Sequence, residues 1–317
     1  MKNYDVTALG ELLIDFTENG KSAQGNPLFE ANPGGAPCNV LAMLNKFGHK
    51  TSFIGKVGND FFGHQLRTAV KESGTDDTYL FEDNVIHTTL AMVHTLPDGD
   101  REFSFYRKPG ADMMLRREEI PKERLHDTKI FHFGTLSMTD EGVKEATVYA
   151  VQEAKKAGAI LSFDPNLRMA LWDDEMRLRE AVLFGLANCD ILKISDNEIV
   201  WLTGETDYSK GAAWIKSRYD IPLILVSMGK EGSRAYWKDE MYEEAAYLRK
   251  DTVETTGAGD TFMGCVLHYV LTYGLEQLNE TVLREMLSFA NAAASLITTR
   301  KGALRVMPEV EEIKTYI

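Results

Sequence analysis

The 317-residue chain has only three cysteines, Cys38, Cys189 and Cys265, far apart and in no Cys-x-x-Cys pair. That spacing excludes a disulfide framework and a structural zinc site, and it suits free thiols in a reducing compartment. Positive charge is also short: 35 Lys and Arg stand against 48 Asp and Glu, a formal net charge of −13. Nucleic-acid binders need clustered basic residues, so no nucleic-acid partner is expected. No apolar run approaches the roughly 20 residues of a membrane span, so no membrane partner is expected. The polar start Met1–Asp5 lacks the apolar core of an export signal, which makes the cytoplasm the expected compartment. Internal repeats, low-complexity tracts and Pro/Ser-rich linkers are missing too, so one domain with an insertion is expected rather than two beads.

What remains is an alternation of short apolar runs with longer amphipathic stretches. Strands are predicted at Val6–Leu9, Thr51–Ile54, Ile130–Phe133, Ile160–Phe163, Ile191–Ile194 and Leu223–Ser227. Nearly continuous apolar runs of this kind belong to a parallel sheet covered on both faces. Between them lie helices such as Glu141–Ala157, which follows Thr139-Asp140 and stops at Gly158. The alternation predicts βαβ units and an α/β sandwich of three layers. Two segments break the rhythm. Leu13–Glu18 and Leu28–Ala31 read as strands around a polar turn, and Thr88–His94 and Arg101–Arg107 as a pair joined by the turn Pro97–Asp100. They form either a separate small sheet, acting as a water-excluding lid, or an edge extension of the main sheet.

Four motifs carry candidate chemistry. Thr255-Thr256-Gly257-Ala258-Gly259-Asp260 precedes the apolar helix predicted over Thr261–Tyr273. Small residues at a helix N-terminus expose amides that can hold a phosphate. The same dipole should keep Asp260 ionised, able to take a proton from an attacking hydroxyl; a plain turn with Asp260 as N-cap is the competing reading. Gly34-Gly35-Ala36-Pro37-Cys38-Asn39 opens a helix predicted over Val40–Phe47, where Asn39 suits the hydroxyls of a neutral polar ligand, or simply follows a tight turn. Phe163-Asp164-Pro165-Asn166-Leu167-Arg168 follows a strand, at the carboxyl edge where open α/β sheets bind ligands. Its Arg168 is placed to neutralise phosphate charge. Ser195 and Glu198 form a capping-box pattern, although a carboxylate there also suits hydrated magnesium. Other templates fail. Gly20-Lys21-Ser22 imitates a P-loop tail, but position 15 is Asp, and no Gly-x-Gly-x-x-Gly run follows the first strand. His132, inside an apolar run, reads as a core residue.

Taken together, these residues resemble the ribokinase-like (PfkB) carbohydrate kinases, and among them the fructokinases. The resemblance runs from Leu9–Phe16 to Thr299–Ala303 and includes both family signatures, Gly34–Gly58 and Glu254–Gly264. It implies a ribokinase-like sandwich whose core comprises residues 1–12, 32–87 and 110–317, with residues 13–31 and 88–109 as a β-sheet lid over the sugar. It implies Asp260 as the base and Gly257, Ala258 and Gly259 as the anion hole, with Arg168 assisting. Sugar contacts are implied at Asp15, Gly35, Asn39, Arg107, Arg168 and Asp260. Nucleotide contacts are implied at Lys193, Ser227, Gly229, Gly232, Thr256, Gly257, Gly259 and Asn291. Glu198 matches the residue that organises Mg2+ through water, and Glu254, Thr256 and Gly302 match a monovalent-cation site suited to K+. Ser195 stands where many relatives have Asn, and Glu254 where Asp is commoner. A homodimer is the family expectation. The phosphoryl donor is ATP and the expected acceptor fructose; 2-keto-3-deoxygluconate is the alternative, since Asp164–Arg168 occurs in those kinases too. A sugar-binding regulatory protein without turnover is the reading from another class, and the intact Gly257–Asp260 run speaks against it.

Overall fold

Neighbouring residues on the central strands face opposite ways, and both ways lead into a buried core. Val6 and Ala8 enter one apolar cluster and Leu9 the other; Leu223 and Leu225 join the first, Ile224 and Val226 the second. That is why these runs read as continuously apolar. The computed structural model describes residues 2–95 and 101–317, so the turn expected at Pro97–Asp100 lies outside the described residues. The strands are β1 Tyr4–Leu9, β2 Leu13–Lys21, β3 Pro27–Gly34, β4 Thr51–Gly58, β5 Asp76–Asp83, β6 Leu90–Thr95, β7 Arg101–Tyr106, β8 Thr128–Gly134, β9 Ile160–Asp164, β10 Ile191–Ser195, β11 Leu223–Ser227, β12 Ser233–Trp237 and β13 Glu240–Glu244. The helices are α1 Ala36–Lys46, α2 Phe61–Glu72, α3 Lys122–His126, α4 Glu141–Lys156, α5 Glu175–Leu186, α6 Asp196–Thr203, α7 Tyr208–Lys216, α8 Ala258–Tyr273, α9 Glu280–Ile297 and α10 Val310–Tyr316.

The large sheet runs β13-β12-β11-β10-β9-β8-β1-β4-β5. It is parallel from β11 to β5, and β12 and β13 add antiparallel strands at one end. Residues of α1, α8 and α9 fill the core on one face, and residues of α4 to α7 fill it on the other. This is the three-layer sandwich expected from the alternation. Three strands escaped the sequence reading, and all lie at the sheet's ends. β5 and β13 are the outermost strands and carry charges such as Asp76, Glu82, Glu240 and Glu243. Charged edges resist further pairing, and they also hide the apolar signal.

The segments that broke the rhythm form their own four-stranded sheet, β3-β2-β6-β7, rather than an edge of the large one. β3 continues to Gly34, further than Ala31, and delivers the chain directly to α1. Both site helices also begin earlier than predicted. α1 starts at Ala36 rather than Val40, and α8 at Ala258 rather than Thr261. Small residues, and proline in the first turn, tolerate helical geometry while carrying little of the apolar periodicity from which the starts were read.

Candidate active site

Five parallel strands release their carboxyl ends toward one cavity of about 790 Å³, roofed by the small sheet through Leu13, Asp15 and Phe105. Crevices at the carboxyl edge of open α/β sheets are where ligands bind. α8 points its N-terminus into this space. Gly257 is the N-cap, left-handed at φ 79°, with no side-chain cap of its own. A Cβ there would sit 2.6 Å from the Cβ of Ala303, so only glycine fits. Asp260 therefore occupies the first turn of α8, not the N-cap, and the plain-cap reading falls away. The Ala258 N–H turns back to the Thr255 carbonyl at 3.3 Å, which leaves it a weaker anion donor than the sequence implied.

Asp260 lines the cavity, and its Oδ2 accepts from Asn39 Nδ2 at 2.8 Å. The first turns of α1 and α8 thus meet at this one bond. Burial raises the Asp260 carboxyl, helped by Asp164 and opposed by Asn39, Lys193 and Arg168, to about 6. Desolvation outweighs the ionising influences around it, so Asp260 titrates close to neutrality yet is still largely ionised at pH 7. Asn39 Oδ1 is buried beside the cavity without a hydrogen-bond partner, an open acceptor for a ligand hydroxyl. Asp15, on β2, is also raised by burial to about 7, with Arg168 opposing and Glu254 and Asp260 reinforcing.

Two cations, Lys193 and Arg168, line the cavity. Lys193 Nζ pairs with Asp164 Oδ2 at 2.9 Å. Burial lowers its pKa, but Asp164, Glu198 and Asp260 outweigh this and hold the ammonium charged. Arg168 lines the same space, its Nη1 resting on its neighbour's carbonyl at 3.0 Å. Glu198 is the cap its pattern predicts, and it also lines the cavity. The capping box with Ser195 is complete, and Glu198 Oε1 accepts from Leu167 N–H at 2.7 Å while the carboxylate faces the cavity. Ser227 and Gly229 line both this cavity and an adjoining, more apolar one of about 280 Å³, which also holds Gly232, Phe262 and Asn291. Asn291 lends that wall shape rather than hydrogen bonds. Its Nδ2 donates to the Glu244 and Ala245 carbonyls, and its Oδ1 accepts from Ser233. Glu254 Oε1 accepts from Gly302 N–H at 3.1 Å, so two of the three residues read as a monovalent-cation site do meet.

Arg107, read from the sequence as a sugar contact, sits at the joint between the small sheet and the core. Arg107 and Asp112 have 2% exposed side chains and pair at 2.7 Å; Arg107 also donates to Thr139 Oγ1 and the Leu136 carbonyl. Among the described residues Arg107 lies outside the cavity lining. Its guanidinium, held by one carboxylate and two neutral acceptors, ties the lid to the core. Glu11 was missed. It lines the cavity at 5% exposure, and a lone carboxylate inside the apolar run Leu9–Ile14 was the available signal.

A carboxylate in the first turn of a helix, two nearby cations and a two-part cavity suit phosphoryl transfer, and its relatives make the chain an ATP-dependent sugar kinase. The chain belongs to the pfkB family carbohydrate kinases, whose family model matches residues 3–310. It is 39% identical over 314 residues to the probable fructokinase-2 of Arabidopsis thaliana, covering 98% of this chain and 95% of that one. Among solved structures it resembles the fructokinase of Xylella fastidiosa with bound ATP, at TM-score 0.90 and 29% identity, covering 100% and 98% of the two chains. A double mutant of the Vibrio cholerae O395 fructokinase, in fructose, ADP and potassium ion bound form, superposes at TM-score 0.88 and 27% identity, covering 99% and 98%. The fold is ribokinase-like.

Proposed function

We propose that this kinase phosphorylates D-fructose, forming fructose 6-phosphate and ADP. The observation that carries the mechanism is Asp260, held by Asn39 at the cavity floor with a carboxyl near 6. A base poised there is ionised at neutral pH and still basic enough to accept a proton in the transition state. The sugar's 6-oxygen attacks the γ-phosphorus as its proton passes to Asp260, and the bond to the departing ADP oxygen breaks. The Gly257–Gly259 amides, Lys193 and Arg168 neutralise charge on the transferring group, the main demand in phosphoryl transfer. Asn39 Oδ1, Asp15 and the backbone at Gly35 orient the sugar, and the apolar annex around Phe262 takes the base of ATP.

Magnesium fits the donor set. Mg2+ keeps most of its waters and takes one or two carboxylates plus phosphates. Glu198 and the neighbouring Asp196 both line the cavity, so they would hold its water shell while the ion shields phosphate charge. Potassium at Glu254, Thr256 and Gly302 is supported by Glu254, a buried carboxylate met by a backbone N–H. The potassium-bound Vibrio relative points the same way. The three free cysteines, all buried, suit a reducing cytoplasm. Leu28 and Phe29, exposed on the lid at 48% and 37%, suit a homodimer joined through that sheet.

The similarity to fructokinases supports fructose as the acceptor. A coupled assay with Mg·ATP against fructose, 2-keto-3-deoxygluconate, ribose and adenosine tests it. Fructose should show the highest kcat/KM; a higher value for ketodeoxygluconate would replace the assignment. The same assay in K+ against Na+ should show stimulation by K+, lost in Glu254→Ala.

A further inference from the structure

We infer that Glu11 is a positioning residue that caps α1 from outside the helix and thereby holds Asn39 against the catalytic base. A helix N-terminus leaves its first N–H groups unpaired, and a Ser, Thr, Asp or Asn at the N-cap normally accepts one of them. α1 has no such residue. Its N-cap is Gly35, and no side chain caps the helix locally. Gly35 cannot be otherwise. Its φ is 140°, and a Cβ would lie 2.4 Å from the main-chain carbonyl oxygen of Glu11. The backbone of Glu11 therefore forbids a capping side chain at the usual place.

The side chain of the same residue supplies what its backbone excludes. Ala36 N–H, the first amide of α1, donates to Glu11 Oε1 at 3.0 Å. A carboxylate at a helix N-terminus also complements the dipole. One turn further on, Asn39 N–H donates to the Gly35 carbonyl at 3.0 Å, and its side chain reaches Asp260 at 2.8 Å. Glu11 is thus joined to the base through the first turn of α1, and through Gly35 to the wall that would face the sugar. It touches neither γ-phosphate nor nucleotide elements, which lie on α8, β10 and β11. Burial raises the Glu11 carboxyl to about 7, with the Ala36 N–H and Arg107 opposing and Asp112 reinforcing. Both protonation states keep an oxygen able to accept from Ala36. The capping role accordingly needs an acceptor at this reach, not a charge.

Three variants separate these requirements, and the kinetic arm rests on the kinase reading. Glu11→Ala should lower kcat/KM for the sugar roughly tenfold, the loss of about one cap, through both kcat and sugar KM. The ATP KM should stay within about twofold, and Glu11→Gln should restore most of the loss because it keeps the acceptor. Glu11→Asp keeps the charge one methylene too far back and should resemble Glu11→Ala, so it serves should Glu11→Ala fail to fold. Amide hydrogen exchange at Ala36, read by NMR without substrates, should speed up at least about tenfold in Glu11→Ala and Glu11→Asp but not in Glu11→Gln. Unchanged exchange at Ala36, or equal losses in Glu11→Gln and Glu11→Ala, would overturn the assignment. A wild-type protein inert toward every sugar would instead sink the kinase reading, and the exchange measurement would still decide the cap.

Discussion

Asp260 shows how one residue's surroundings set its task. Its carboxyl titrates near 6 because the cavity floor desolvates it more than Asn39 and the nearby cations compensate. Sugar kcat/KM should therefore fall as pH drops below about 6, the limb reporting protonation of the free enzyme's base. Asp260→Ala should lower kcat by about two orders of magnitude or more, as loss of a positioned base does. The stability consequence runs the other way. The folded pKa lies above the ordinary aspartate value, so between the two the native state holds more protons than the unfolded chain. That contribution to stability grows as pH falls through the window and is lost as pH rises past about 6. Asp260→Asn should accordingly stabilise the ligand-free protein at pH 8, by on the order of 1–2 kcal/mol after allowing for the open side of the cavity, and much less at pH 4. Melting curves at the two pH values check this; equal shifts at both would refute the burial account.

At the level of elements, the joint between the small sheet and the core is the Arg107–Asp112 pair just beyond β7. Thr89, at the start of β6, donates to the same carboxylate at 2.5 Å. One clamp thus gathers β6 and β7, two of the four lid strands, at their base. Removing one partner of a buried pair strands the other charge and typically costs about 3–5 kcal/mol. Arg107→Met should lose that order of stability in urea unfolding and raise the sugar KM by loosening the lid. Adding Asp112→Leu should recover part of the stability, because no buried charge is then left alone. If the double variant is no more stable than Arg107→Met alone, the ion pair is not what holds the lid.

For the whole molecule, the lid has two sides with different burdens. Its inner side closes the cavity through Leu13, Asp15 and Phe105, while its outer strand β3 exposes Leu28 and Phe29. In the proposed homodimer those side chains are covered. Leu28→Lys with Phe29→Lys should therefore shift the protein to monomers in sedimentation equilibrium while preserving the ATP KM, since the cavity proposed for the ATP base is lined by no residue of the lid. Dimers that persist unchanged would place the interface elsewhere. No helix among the described residues is long and apolar enough to cross a membrane.

The apolar runs from Val6 to Ser227 already determined a doubly covered parallel sheet, because strands buried on both faces carry few polar positions to disguise them. The glycine motifs likewise pointed to two of the helices that open onto the cavity, since only small residues permit those turns. Tertiary structure alone decided the rest. β5, β12 and β13 are strands because a finished sheet offers them a partner, not because their sequences alternate cleanly. Arg107 is a clamp because Asp112 folds back onto it, a pairing no spacing announces. The titration of Asp260 near 6 arises from burial and from Asn39, Asp164, Arg168 and Lys193, all distant in sequence, whose groups act only through space. Glu11 follows the same rule. Its place in an apolar run was visible, but the amide it serves lies 25 residues on, where only the fold brings them together.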